Sequence, residues 1–172
     1  MKLSIWTKKV KPSSILIIRS CPEPLMKKLI DDIHSILPEI QIDLIVQKGY
    51  ISPSSVRNIF EYEKSIYNIF NINWSLLKKM RSTNYDAVII PCSNNSGKGY
   101  FNVKLFSLPI RTKFRFLLFS NHTMLFFSRR SIVMEYLYTK ILRYLMIPIR
   151  FIYYYATYHC LRLYKKLKIN LH

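Results

Sequence analysis

Glycine is scarce in this sequence, since its 172 residues contain only three. Glycine reaches positive φ without steric strain, and the phosphate loops of nucleotide-binding proteins use several glycines close together. Two of the three, Gly97 and Gly99, flank Lys98 in the stretch PCSNNSGKGYFNVKL, residues 91–105. Any phosphate-binding loop of the chain is therefore expected in this stretch.

Cysteines are also few, and histidines show no metal-site spacing. Cys21, Cys92 and Cys160 are an odd number without a CxxC pair, which argues against a disulfide framework and favours a reducing compartment. The four histidines have no metal-ligand spacing among themselves or with the cysteines. The start, MKLSIWTKKVKPSS, lacks the apolar core of a secretory signal. We therefore expect a cytoplasmic protein without a metal or a cofactor.

Acidic residues almost disappear from the second half of the chain. Glu135 is the single acid among residues 87–172, which hold 14 lysines and arginines and so carry +13 of the total charge of +18. This asymmetry predicts an anionic partner, such as membrane headgroups, nucleic acid or a phosphorylated substrate. The alternative is a solvated basic surface, because Ile, Lys, Asn and Tyr are over-used together, as in proteins from AT-rich genomes.

The predicted elements begin with a strand–helix–strand unit. The apolar run SILIIR, residues 14–19, predicts a buried strand, and QIDLIVQ, residues 41–47, predicts a second one. Between them, residues 23–36 repeat apolar side chains with a 3.6-residue period, as an amphipathic helix does. Two strands joined by one helix over so short a distance predict a βαβ crossover and a parallel sheet.

The same alternation continues to residue 127 and defines the first predicted domain, residues 1–128. We therefore predict an α/β fold with a Rossmann-like, mostly parallel sheet and helices on both faces. The further strands are predicted at residues 58–63, 85–92, 113–120 and 122–127, and the further helices at residues 73–84 and from residue 101 to Pro109.

Residues 129–172 form the second predicted domain, a long basic amphipathic helix without glycine. It is not a clean membrane span, because arginines interrupt its apolar runs. Such a helix is suited to lying in a membrane interface. The alternative is that its apolar face packs on the sheet. At about 100° per residue, the following basic residues share roughly one third to one half of the helical wheel: Arg129, Lys140, Arg143, Arg150, Arg162 and Lys165.

The stretch around Lys98 follows a strand and precedes a helix, where α/β sheets bind ligands. It departs from the Walker pattern, because Cys92 stands where the first glycine should be and Gly99, rather than Ser or Thr, follows Lys98. It also departs from the dinucleotide pattern, since Asn102 replaces the last glycine. The stretch is therefore either a loop that contacts a sugar or phosphate, or a solvated turn.

Three segments carry a resemblance to heptosyltransferase-type glycosyltransferases. Residues 15–49, ILIIRSCPEPLMKKLIDDIHSILPEIQIDLIVQKG, are similar to the family's opening strand ending in Arg, its helix and its I-D-x-L-V strand. Residues 77–91, LKKMRSTNYDAVIIP, resemble its L-R-x-x-x-Y-D-x-V-I unit, and residues 96–121 resemble a variant in surface-polysaccharide enzymes. The resemblance implies the acceptor-side half of a two-domain GT-B enzyme.

The resemblance further implies a partial, split or degenerate glycosyltransferase-like protein of cell-envelope polysaccharide synthesis. It would act at the inner face of the membrane, with an anionic membrane surface, a glycan or glycolipid acceptor and a sugar-nucleotide-binding partner. Glu23, the only acid of the first loop SCPEP, is the candidate base. The membrane candidates are Lys140, Arg143, Arg150, Arg162 and Lys165. The candidate substrate- and phosphate-binding residues are Arg19, Ser20, Ser96, Gly97, Lys98, Gly99, Tyr100 and Lys104.

Two other functions stay open. One is a non-enzymatic membrane-surface interaction protein built on the same scaffold. The other is a nucleic-acid-binding protein, which the charge and the aromatic residues fit in composition. Nucleic acid is disfavoured because no RNP, KH or zinc-finger pattern is present and the basic residues are interleaved with long apolar runs.

Overall fold

The computed structural model describes residues 2–50, 55–64 and 66–169, apart from the side chains of residues 143, 145 and 161–169. The chain divides into two compact units, Met1–Ile132 and Val133–His172.

The first unit is built on a six-stranded sheet with the order β3-β2-β1-β4-β5-β6. The first five strands in this order are parallel, and β6 is antiparallel to β5. This confirms the prediction of a Rossmann-like, mostly parallel sheet. The strands are β1 (Ser14–Ile18), β2 (Gln41–Gln47), β3 (Asn58–Tyr62), β4 (Tyr85–Cys92), β5 (Thr112–Phe119) and β6 (Met124–Phe126).

The first βαβ unit has the parallel strand pairing that the sequence predicts. Ile15 of β1 lies opposite Ile42 of β2 on one side and opposite Ala87 of β4 on the other. The strands β1 and β2 are parallel because α2 returns the chain to the starting edge of the sheet. The helices are α1 (Leu3–Val10), α2 (Glu23–Ile36), α3 (Trp74–Ser82), α4 (Phe101–Phe106) and α5 (Arg129–Ile169).

Both faces of the sheet are covered, because every β1 side chain is buried and successive ones point to opposite faces. Ile15 and Ile17 join one core cluster, which contains buried side chains of α1 and α2. Leu16 and Ile18 join the other cluster, which contains buried side chains of α3 and α4. The predicted helices on both faces are therefore confirmed.

Helix α1 is an element that the sequence analysis did not predict. Its eight residues bury Leu3 and Trp6, and the Thr7 hydroxyl donates a hydrogen bond to the Leu3 carbonyl. The Trp6 ring lies 5.0 Å from that of Phe116, so contacts with the sheet stabilise this helix. A helix this short is marginal on local propensity alone, which explains why its sequence gave little signal.

The second unit is the continuation of α5, a 41-residue helix that contains Pro148. No described side chain from Val133 to Cys160 is buried. The large apolar side chains exposed there include Leu142, Ile149 and Ile152. Within the described residues, no helix carries an apolar stretch long enough to cross a membrane.

Candidate ligand-binding cleft

A cleft of about 410 Å³ lies at the carboxyl ends of the central strands β1, β2 and β4. The chain leaves β1 into α2, which covers one face, and leaves β4 towards α4, which covers the other. Such divergence opens a crevice between neighbouring strands, the usual ligand site of open α/β sheets. The cleft is lined by Arg19, Ser20, Cys21, Pro22, Gln47, Ile66, Tyr67, Gly99, Tyr100, Asn102 and Val103.

A larger hollow of about 660 Å³ lies at the opposite edge of the sheet. It is lined by the C-terminal part of α1 and the chain that follows α2, including Lys11 and Leu37. Helix C-termini present carbonyl groups at this edge, whereas the loops that lead from the parallel strands into helices lie at the other edge. The carboxyl-edge cleft is therefore the better candidate for ligand binding.

Arg19 brings the positive charge of this cleft. Its backbone N–H donates a 2.9 Å hydrogen bond to the Ile45 carbonyl, which holds the residue at the end of β1. Its guanidinium carbon lies 4.3 Å from the centre of the Tyr50 ring, a cation–π contact. Arg19 is half-buried, and its Nε is buried without a hydrogen-bond partner among the described residues.

Ser20 and Tyr100 fix the two walls of the cleft. The Ser20 hydroxyl donates a 2.6 Å hydrogen bond to the Pro91 carbonyl, which ties the loop after β1 to the end of β4. The Tyr100 hydroxyl accepts a 2.8 Å hydrogen bond from the Ser93 N–H and lies 2.9 Å from the Ser93 Oγ. Both hydroxyls therefore have structural partners and shape the cleft.

The glycine-containing loop uses its amide groups internally. The Asn94 Oδ1 accepts hydrogen bonds from the N–H groups of Ser96, at 3.3 Å, and Gly97, at 2.8 Å. The Ser96 Oγ accepts from the Lys98 N–H, and the Asn94 Nδ2 donates to the Lys98 carbonyl. Three N–H groups that a phosphate loop would present to its ligand therefore donate to side chains of the loop itself. We call this loop, residues 94–98, the self-bonded turn.

The structure brings four of the predicted ligand-binding residues, Arg19, Ser20, Gly99 and Tyr100, into the lining of one cleft. The other predicted residues of the first unit are not part of that lining. Ser96, Gly97 and Lys98 belong to the self-bonded turn. Glu23 is the exposed first residue of α2, and the Lys104 ammonium lies 5.7 Å from the centre of the Phe101 ring.

The predicted membrane residues lie on α5. Lys140 and Arg150 are exposed. The side chains of Arg143, Arg162 and Lys165 lie outside the described residues.

Sequence reasoning missed Tyr50, which follows β2 and supports Arg19. Burial raises the pKa of Tyr50, the nearby Glu23 raises it further, and Arg19 opposes both. Its hydroxyl is buried without a hydrogen-bond partner among the described residues. The sequence does contain a signal for this position, because the residues that follow the two strands of a βαβ unit lie at the same edge of the sheet.

The described part of the chain shows neither a reactive thiol nor a metal cluster near the cleft. Burial raises the pKa of Cys21 to about 11 against the opposing effect of Arg19, so its thiol is protonated at neutral pH. The described residues contain no group of three or more His, Cys, Asp or Glu arranged to hold a metal ion. The cleft therefore offers binding groups, of which the Arg19 guanidinium is the strongest.

No protein-family model, curated protein or solved structure matches the chain. The chain's own residues show an α/β unit with a Rossmann-like sheet and a cleft at the carboxyl edge that contains Arg19.

Proposed function

We propose that this chain is a glycosyltransferase-like protein of cell-envelope polysaccharide synthesis. In this proposal the cleft holds a glycan or glycolipid acceptor, and a partner protein binds the sugar nucleotide. The observation that supports it most is the cleft at the ends of β1 and β4, with Arg19 in its lining. The sequence resemblance supplies the reaction class.

Glu23 is the candidate base of the proposed reaction. A base must come within hydrogen-bond reach of the acceptor hydroxyl. Glu23 lies close enough to Tyr50 to affect its pKa, and it follows the cleft residue Pro22 in the chain. The Glu23 carboxylate is exposed and is not part of the cleft lining. An acceptor bound in the cleft therefore has to extend beyond the cleft to reach Glu23.

Asn102 offers a direct test of acceptor binding, because it is an exposed amide in the cleft lining. Envelope saccharides and glycolipid headgroups are titrated into the full chain while backbone amide signals are followed by NMR. The proposal expects shifts at Arg19–Pro22 and Gly99–Val103. Asn102→Ala should weaken binding several-fold, and Asn71→Ala, an exposed amide outside the cleft, should not. Shifts confined to the amino edge, or equal losses in both variants, would contradict the proposal.

The proposal places the protein peripherally at the inner face of the membrane, where lipid-linked acceptors are presented. The same location underlies a second candidate, a non-enzymatic protein that binds an anionic membrane surface. The observation favouring this candidate is that α5 exposes large apolar side chains next to exposed Lys140 and Arg150. The apolar face of an amphipathic helix is ordinarily buried against a protein or lipid.

In this second proposal the partner of α5 is a lipid surface, and the charges on the helix support that choice. From Val133 to Ile169 the helix has seven basic residues and one acid, Glu135. At about 100° per residue, Leu142, Ile149 and Ile152 lie on the side opposite the basic arc. Each lysine or arginine near an anionic surface contributes about 1 kcal/mol, which salt reduces, whereas apolar burial persists in salt.

The membrane proposal is tested by co-sedimentation of the full chain with phosphatidylglycerol vesicles at low and high salt. Lys140→Gln/Arg150→Gln should lower pelleting mainly at low salt, and Leu142→Gln/Ile149→Gln should lower it at both. Lys9→Gln/Lys27→Gln removes two exposed charges from the first unit and is the matched control. Equal pelleting of all four proteins would refute the role of α5. If an oligonucleotide competed with the vesicles at low salt but not at high salt, nucleic-acid binding would be favoured instead.

A further inference from the structure

Arg19 differs from Arg115 and Arg57 in its partners. Buried Arg115 donates hydrogen bonds to the carbonyls of Ser107 and Ile110. Arg57 is more exposed, and it still makes a 2.7 Å ion pair with Asp43. The Arg19 guanidinium is half-buried, yet no described residue accepts a hydrogen bond from it or pairs with its charge.

An unpaired guanidinium in this position is energetically unusual. Partly buried polar groups ordinarily find hydrogen-bond partners, and a buried charge without one is costly. The cation–π contact with Tyr50 holds the guanidinium in place without using its N–H donors. The described residues therefore leave the guanidinium of Arg19 without a hydrogen-bond acceptor in the lining of the cleft.

Tyr50, the other partner in this contact, also carries an unpaired polar group. Its hydroxyl is buried and has no hydrogen-bond partner among the described residues, and the same is true of the Arg19 Nε. Two unpaired donors thus belong to one stacked pair of side chains. Among the residues that the structure describes, no acidic one lines the cleft. Glu23 is the carboxylate near this pair; it is exposed to screening water and forms no ion pair with Arg19.

We infer that Arg19 and Tyr50 form an anion-recognition element that binds a phosphate or carboxylate group of the ligand. The Arg19 N–H groups donate to the anion, and Tyr50 is a positioning residue that fixes the plane of the guanidinium. This inference rests on the proposed function and adds that the acceptor is acidic. Because a planar guanidinium binds two oxygens at once, lysine is a poor substitute for Arg19.

Four probes separate the possible ligand groups: inorganic phosphate, glucose 1-phosphate, glucuronate and glucose. Each is titrated into the full chain, and the Nε–H signal of Arg19 is followed by NMR beside calorimetric affinities. The inference expects at least one anionic probe to shift this signal and glucose to leave it unchanged. A preference for phosphate or for glucuronate identifies the source of the anion. Failure of all three anionic probes to shift the signal would overturn the inference.

Substitutions assign the effect to the stacked pair. Arg19→Gln and Arg19→Lys should each weaken anion binding about tenfold or more, because a charge-assisted bidentate contact is lost. Tyr50→Leu should weaken it severalfold, and Tyr50→Phe, which keeps the ring, should restore most of the affinity. Arg111→Gln removes an exposed guanidinium just before β5, at the amino edge, and should have no effect. Equal losses in Arg19→Gln and Arg111→Gln would show non-specific charge attraction and overturn the inference.

The failures of the two proposals are distinguishable. Binding of neutral glycans in the cleft without any anion effect would keep acceptor binding and overturn the role of Arg19 and Tyr50. Anion binding at Arg19 with no saccharide binding would support the anion site and contradict the glycosyltransferase-like function.

Discussion

Tyr85 donates a 2.7 Å hydrogen bond to Oδ2 of Asp43, whose side chain is completely buried in β2. Arg57 donates to both carboxylate oxygens, and Asn58 donates to Oδ1 at 3.0 Å. A buried carboxylate is tolerated because these donors replace the hydrogen bonds of water. The network joins β2 to the starts of β3 and β4.

Removing this carboxylate should strongly destabilise the first unit. Asp43→Ala leaves the buried Tyr85 hydroxyl and the Arg57 guanidinium without their acceptor and should lower the free energy of unfolding by about 3–5 kcal/mol. Tyr85→Phe removes a single hydrogen bond and should cost about 1–2 kcal/mol. Urea unfolding of both variants measures the two effects. If Asp43→Ala proved no more costly than Tyr85→Phe, the network would not be the main support of this region.

Asp86 should make the free energy of unfolding depend on pH in the acidic range. Burial opposes its ionisation, but hydrogen bonds from Lys113 and from Ser13 and Ser14 outweigh burial and lower its pKa to about 2. Because this pKa is lower in the folded chain, the stabilisation is complete above the unfolded pKa of about 4 and is lost as pH falls towards 2. It amounts to about 2 kcal/mol. The unfolding free energies of the wild type and Asp86→Asn should therefore converge between about pH 5 and pH 2; a constant difference would contradict the assignment.

Gly97 and Gly99 form a matched pair for testing the turn. Both have positive φ, at 65° and 90°, so alanine is strained at either position. A Cβ at Gly97 would lie 2.9 Å from Leu117 Cδ1, whereas nothing lies within 4 Å of one at Gly99. Gly99→Ala should cost about 1 kcal/mol and Gly97→Ala about 1–3 kcal/mol more, because only the latter also overpacks the core. Thermal unfolding tests this order, and equal costs would exclude the Leu117 contact as a constraint.

The three thiols should differ in reactivity. Burial raises the pKa of Cys21 to about 11 and that of Cys92 to about 12, whereas Cys160 is exposed on α5. In the native protein a thiol reagent should therefore modify one cysteine promptly and the other two only after unfolding. Cys160→Ser should abolish the prompt phase. Prompt reaction of that variant would show that the strand ends around Cys21 or Cys92 open readily.

Much of the fold was predictable because local patterns determined it. The run Ser14–Ile18 forms β1, and the apolar period of residues 23–36 forms α2, which buries Met26, Leu29, Ile30 and Ile33. Two such strands joined by one crossover helix pair in parallel, so the direction of β1 relative to β2 followed from connectivity. The glycosyltransferase resemblance gave the reaction class, which stays a prediction.

The candidate site was predictable only in part. Arg19, Ser20, Gly99 and Tyr100 follow strands, so the edge they share follows from a parallel sheet. The sequence could not show that Asn94 occupies the amides of Ser96 and Gly97, since that depends on how the turn folds back on itself. Lys98 lies on this self-bonded turn, and its role in ligand binding stays a prediction.

The sequence by itself determined the order of the strands and helices that follow α1, the mostly parallel sheet and the basic character of α5, because periodicity and charge are local properties of the chain. Tertiary structure decided that Trp6 anchors α1 against Phe116 and that Tyr50 supports the guanidinium of Arg19. It also decided that Arg57 is paired with Asp43 while Arg19 has no such partner. The physical reason is that a charged side chain's partners depend on residues brought together by the sheet, and no local pattern records which of them come within hydrogen-bonding distance.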